Sequence, residues 1–160
     1  MASKKSKYNI GSDFEKRTFN GVTFDSIMEM KYYRDVLCPA VESGDVVKYE
    51  MQKPYVLQPG FERNDKKVKD ITYIADFYIM RKDGSEQVID IKGCPDPVAK
   101  IKRKMFWYKY PELDYRWITY SVKYGGGWVD YDESRRLRLA DKRKEWKRLK
   151  GEVDGDIWEK

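Results

Sequence analysis

Two apolar runs interrupted by charges dominate the hydrophobic pattern: Tyr73-Ile74-Ala75-Asp76-Phe77-Tyr78 and Val88-Ile89-Asp90-Ile91-Lys92-Gly93. Both alternate and are rich in β-branched and aromatic residues. They flank the turn-like Arg81-Lys82-Asp83-Gly84-Ser85, so they predict the two strands of a hairpin, Ile71–Met80 and Glu86–Lys92. Alternation sets Asp90 and Lys92 on one face, with Ile89 and Ile91 on the other. A three-residue loop, Lys82-Asp83-Gly84 with Gly84 left-handed, pairs Arg81 with Ser85 and brings Asp76 opposite Asp90. A two-residue loop, Asp83-Gly84, would place Asp76 opposite Ile91 and break the cluster.

The rest of the chain reads as α-β-β-β-α-β-α. Phe24 to Leu37 predicts a helix, because Ser26, Met30, Tyr33 and Leu37 form one stripe, and Pro39 is expected to end it. Val46 to Leu57 predicts a strand with Glu50 and Gln52 on one face; Pro54 marks an edge or a strand end. Pro59 to Asp70 is polar and is expected to be a mobile loop. After the rigid turn Gly93-Cys94-Pro95-Asp96-Pro97, Val98 to Tyr110 predicts a second helix and Tyr115 to Val122 a fourth strand. Gly125-Gly126-Gly127 reads as a flexible break before a helix from Glu133 to Lys150 with a thin seam of Leu139, Trp146 and Leu149. The organisation expected is a tail over 1–20, an α/β core over 21–124 and a glycine-linked basic helical extension over 125–160.

Composition removes whole classes of chemistry. The chain of 160 residues has no histidine, so histidine-based triads, zinc sites and general bases are excluded. Its two cysteines, Cys38 and Cys94, are too few for a disulfide framework or a thiolate zinc site, which points to a reducing cytoplasm. No run of about 18 apolar residues is present, and the Lys-rich start lacks the apolar stretch of a signal peptide. Aromatics at 15% argue for a packed core. Chemistry must therefore come from carboxylates, lysines, tyrosines and a metal held by oxygen.

Charge is localised. Glu133 to Lys150 holds nine Lys/Arg and three Asp/Glu, a surplus of six, equal to the +6 of the whole chain. That concentration suggests contact with a polyanion through Arg135, Arg136, Arg138, Lys142, Arg143 and Lys147, against the plainer reading of a solvated face. Lys100, Lys102, Arg103 and Lys104 interleave with Met105, Phe106 and Trp107; the aromatics are expected in the core and the cations toward phosphates.

The acidic positions are more specific. Like charges opposed across strands are destabilising, so an Asp76–Asp90 pair implies something positive between them, most simply a divalent ion. Magnesium suits such a site because it takes hard oxygen ligands, and manganese can substitute. Lys92 would orient or deprotonate an attacking water, or contact the phosphate. Glu29 has two readings: Ser26-x-x-Glu29 is a capping box, and a helix-borne carboxylate can also complete the site. Gln52 either sits on an exposed edge or lines the site.

Four segments in order are similar to the PD-(D/E)XK nuclease superfamily, and within it to small phage and prophage proteins resembling Holliday-junction resolvases. They are Phe24-Asp25-Ser26-x-x-Glu29-x-x-Tyr32-Tyr33, Tyr49-Glu50-x-Gln52-x-x-Tyr55-x-Leu57, Tyr73-x-Ala75-Asp76-Phe77 and Val88-Ile89-Asp90-Ile91-Lys92-Gly93. The likeness spans roughly residues 20 to 120; the usual Pro before the first Asp is Ala75 here. It implies a restriction-endonuclease-like core of mixed sheet flanked by helices, and magnesium-dependent hydrolysis of DNA, branched DNA included, in the cytoplasm of a bacterial host. It also implies Asp76, Asp90 and Glu29 as metal ligands and Lys92 as the catalytic lysine. A homodimer would supply the two sites that paired cuts need. The alternative is a DNA- or RNA-binding accessory protein that keeps the fold without turnover.

Overall fold

The structure, a computed structural model, describes residues 14–151. A 3₁₀ turn over Glu15–Arg17 leads into the short antiparallel pair β1 (Thr18–Phe19) and β2 (Val22–Thr23). Residues 1–13 of the expected tail lie outside the described residues, whereas Arg17 is buried, its guanidinium donating to the carbonyls of Phe24 at 2.8 Å and Asp25 at 3.1 Å. Helix α1 (Ile27–Tyr32) begins at Ser26, whose hydroxyl accepts the Glu29 N–H at 3.1 Å.

Pro39 does not end the helical run. A π turn over Tyr33–Leu37 follows α1 and leads into α2 (Cys38–Glu42). Proline lacks an N–H and its ring collides with the carbonyl four residues back. The wider turn, closed by the Cys38 N–H on the Tyr33 carbonyl, accommodates both defects without breaking the axis.

Five long strands hydrogen-bond in the order β3 (Val46–Gln58), β6 (Ile71–Arg81), β7 (Glu86–Ile91), β8 (Asp114–Ser121), β9 (Gly127–Asp130), giving a mixed α/β fold. The pairs β3–β6, β6–β7 and β8–β9 are antiparallel. Helix α3 (Pro97–Lys109) links β7 to β8, the kind of crossover a parallel neighbour requires. As Pro54 implied, β3 lies at the sheet edge.

Three predicted boundaries need correction. The expected loop over 59–70 contains a hairpin, β4 (Phe61–Arg63) and β5 (Lys66–Val68), turned by Asn64 and Asp65 at φ 50° and 58°. Two left-handed residues give the hairpin turn the right twist, and Asn and Asp tolerate that conformation. The glycine triplet is a tight turn into β9: a side chain at Gly125 would overlap Val129, its Cβ falling 2.4 Å from that residue's own. Finally, the C-terminal helix α4 (Tyr131–Leu149) starts two residues early because Asp130 caps the N–H groups of Asp132 and Glu133.

The chain forms two compact units, one ending at Arg116 and the other starting at Trp117, inside β8. In the first, Phe24, Tyr32 and Tyr33 pack on Phe77, while Tyr55, Tyr73, Tyr110 and Tyr115 gather round the fully buried Phe106. In the second, Trp117 is buried with Tyr131 edge-on to it, and Lys123 pairs with Asp141. The expected seam of α4 is exposed at Leu139, Trp146 and Leu149. Among the described residues, no helix is long and apolar enough to cross a membrane.

Candidate active site

The turn between β6 and β7 sets the site. Gly84 lies at φ 83°, its N–H bonds the Arg81 carbonyl at 2.9 Å, and the Arg81 N–H bonds the Ser85 carbonyl at 2.9 Å. This is the three-residue loop, and only a residue free of a Cβ takes that left-handed position cheaply. The rungs Met80↔Glu86 through Phe77↔Ile89 follow, so the next positions are Asp76 and Asp90. The Asp76 carboxylate accepts the Ile91 N–H at 2.7 Å, replacing a main-chain acceptor where the ladder stops.

Asp90 is 1% exposed and ion-paired with Lys92, itself a quarter exposed. From α1, Glu29 completes the group at 7% exposure. Glu29 takes part in the cap at Ser26 and also lies in the notch. Its Oε1 accepts the Ser26 hydroxyl at 2.8 Å, while its Oε2 is buried with no hydrogen-bond partner among the described residues. A buried acceptor left unmatched is costly.

The electrostatics show that these groups feel one another. Burial, then the charges of Asp90 and Glu29, push the Asp76 carboxyl up to about 9; the Ile91 N–H and Lys92 work the other way. Burial likewise raises Glu29, opposed by its Ser26 bond and reinforced by Asp25 and Asp90. Burial acts against the Lys92 charge, but the Asp90 carboxylate overcomes it and holds the ammonium above its usual range. Tyr73, which no sequence pattern singles out, has its hydroxyl buried beside Asp90 and is raised by burial first and by that charge second.

Gln52 stands opposite Asp76 in the β3–β6 register, between the rungs Met51↔Phe77 and Lys53↔Ala75. Its φ of 52° interrupts a regular strand without shifting register, a conformation costing roughly 1–3 kcal/mol in a non-glycine residue. The strain turns the residue to a cleft of about 200 Å³ lined by Val22, Thr23, Phe24, Asp25, Met51, Gln52, Asp76 and Phe77. Asp25 is a second residue that sequence reasoning passes over, though it neighbours the predicted cap at Ser26.

The donors are those of a hard cation: carboxylate oxygens, one of them orphaned, in a notch where burial and mutual repulsion disfavour their charged forms. Among the described residues no three or more His, Cys, Asp or Glu form a ready-made cage. Carboxylate oxygens of this kind fit a hard ion that keeps several of its own waters.

The basic candidates divide by unit. On α3, Lys100 and Lys104 are exposed, Lys102 donates to the Thr72 carbonyl at 2.7 Å, and Arg103 stacks over Trp107 at 4.3 Å. Of the aromatics expected in the core, Phe106 is buried but Trp107 is 43% exposed. On α4, Arg135, Arg138, Lys142, Arg143 and Lys147 line the same helix, and Arg136 is held by Glu133 at 2.6 Å.

A search among curated proteins finds no match. The family model described as "Protein of unknown function (DUF1064)" matches residues 5–126, which takes in every residue of the carboxylate–lysine group, and the chain belongs to that family.

Proposed function

We propose that the protein is a magnesium-dependent DNA endonuclease of the PD-(D/E)XK type. The observation that carries this reading is the opposed Asp76 and Asp90, with Lys92 paired to Asp90 and the Glu29 Oε2 orphaned beside them. A purely structural strand pair gains nothing from such a conflict. The succession of α1, β3, β6, β7, α3 and β8 is compatible with the core that the resemblance implies.

Asp76 and Asp90 would hold the ion, with Glu29 from α1 contributing its free oxygen, and manganese could replace magnesium. When bound, the ion supplies positive charge at the scissile phosphoryl group and acidifies a water. Hydrolysis joins the water oxygen to phosphorus and breaks one bridging P–O bond, whose oxygen leaves with a proton. Lys92, anchored by Asp90, offers its remaining N–H donors to a non-bridging phosphate oxygen or to the attacking water. The strained Gln52 presents an uncharged amide beside Asp76, able to donate to a phosphate without adding charge to the notch.

The test incubates the purified protein with a labelled four-way junction, linear duplex and single-stranded DNA in Mg²⁺, Mn²⁺ or EDTA, beside Asp90→Asn. Cleavage that needs the metal and disappears in the variant is expected. A variant that cuts at the wild-type rate would sink the assignment. Tight binding without cutting by either protein would favour the accessory-protein alternative.

A further inference from the structure

Hairpin β4–β5 contributes nothing to the core, since all six of its strand residues are exposed. It is nevertheless a defined two-stranded sheet with its own register. Arg63 pairs with Lys66 next to the Asn64–Asp65 turn, and Phe61 pairs with Val68 at the other end. Alternation puts these four on one face and the Glu62–Lys67 pair on the other. One face therefore carries two cations in direct opposition and two apolar side chains left 45% and 38% exposed. Opposed cations give this face a positive potential that draws polyanions, and residues 61–69 hold four basic residues, Arg63, Lys66, Lys67 and Lys69, against two acidic ones, Glu62 and Asp65.

The occupant follows from the position of this face. Ile71, two residues after Lys69, opens β6, and Asp76 is five residues further, about 17 Å along an extended strand. A notch of three carboxylates and one ammonium offers a polyanion little net attraction, so a substrate there needs cations elsewhere in the same unit. A ribbon with strands about 4.8 Å apart fits the roughly 12 Å major groove of B-form DNA. The major groove of an A-form RNA duplex is too narrow to admit it.

Resting on the nuclease reading for the notch, we propose that hairpin β4–β5 is an arm that enters the major groove of duplex DNA. Arg63 and Lys66 contact phosphates across the groove, and Phe61 and Val68 lie against its apolar edges, thymine methyl groups among them.

The experiment measures binding to a fluorescent DNA duplex in EDTA, from 50 to 300 mM salt, with an RNA duplex of the same sequence as competitor. Wild type, Arg63→Gln/Lys66→Gln, Phe61→Ala and Asp90→Asn are compared, and thermal melts check folding. The double variant is expected to bind on the order of tenfold more weakly, with a salt slope smaller by about 2, because each phosphate left without its cation lowers the slope by about 1. Phe61→Ala should weaken binding with an unchanged slope, and Asp90→Asn, with one carboxylate fewer in the notch, should bind no more weakly than wild type. Equal affinity and slope in the double variant overturn the arm, as does RNA competing as well as DNA or a wild type that binds no duplex. If the arm effect appears but neither wild type nor Asp90→Asn cuts in Mg²⁺, the arm stands and the nuclease reading falls.

Discussion

Asp76 opposite Asp90 and Arg63 opposite Lys66 are the same conflict in two environments. Each sets like charges across an antiparallel pair, one at the end of its ladder and the other beside a turn. In the notch, burial removes the water that would screen the repulsion, so the Asp76 carboxyl rises to about 9 and the Glu29 oxygen goes unmatched. On the hairpin both side chains face solvent, and water and salt screen the repulsion. The difference teaches that a like-charge pair is informative in proportion to its burial. On the proposed readings the buried pair serves an ion and catalysis, and the exposed pair serves contact with DNA phosphates.

The largest effect should come from the buried pair. Asp76→Asn keeps an oxygen to accept the Ile91 N–H but removes the charge, and should lower Mg²⁺-dependent cleavage by roughly 10²–10³-fold, measured as kcat on duplex DNA. A loss smaller than about tenfold would dissolve the distinction between the two pairs. Next, Mg²⁺ at about a hundred times its Kd should stabilise the wild type by about 2.7 kcal/mol in urea melts. Asp76→Asn should lose most of that gain, while Arg63→Gln/Lys66→Gln should keep it.

The pH dependence is the third discriminator. Asp76 binds its proton more tightly folded than unfolded, so the folded state holds more protons between the ordinary carboxylate range and about 9. Stability of the metal-free protein therefore falls as pH rises through that window, by at most about 1.4 kcal/mol per pH unit. Urea melts in EDTA from about pH 5 to about pH 9 should show the decline, and Asp76→Asn should flatten it. The smallest effect belongs to the hairpin: Arg63→Glu, which turns repulsion into attraction at an exposed site, should change stability by no more than about 0.5 kcal/mol. A change of several kcal/mol there would show that the arm is part of the core.

Much of the notch is legible in the sequence because it rests on local rules. Gly84 dictates the loop, the loop dictates register, and register puts Asp76 opposite Asp90. Glu29 is half legible, since a capping motif and a site carboxylate share one sequence and only packing shows that one oxygen meets Ser26 while the other stays unmatched. The strand position of Gln52 hints at the site, but its left-handed backbone is imposed by neighbours and leaves no mark in composition. The hairpin formed by β4 and β5 escapes sequence reading because its polar, exposed strands lack the apolar alternation that marks a half-buried sheet. Lys102 looks like a phosphate contact among its cationic neighbours; where its ammonium goes depends on the Thr72 carbonyl, thirty residues away in the chain.

By itself, then, the sequence determined the acid-and-lysine make-up of the notch, the β6–β7 register and the cap at Ser26, because residue identity and short-range turn and pairing rules govern each. Tertiary structure alone decided how strongly the carboxylates perturb one another, which oxygen of Glu29 remains unmatched, that Gln52 is strained toward Asp76, and that Pro39 is absorbed by a π turn. Those properties depend on dielectric, packing and opposing backbone, and such things arise only when segments distant in the chain are brought into contact.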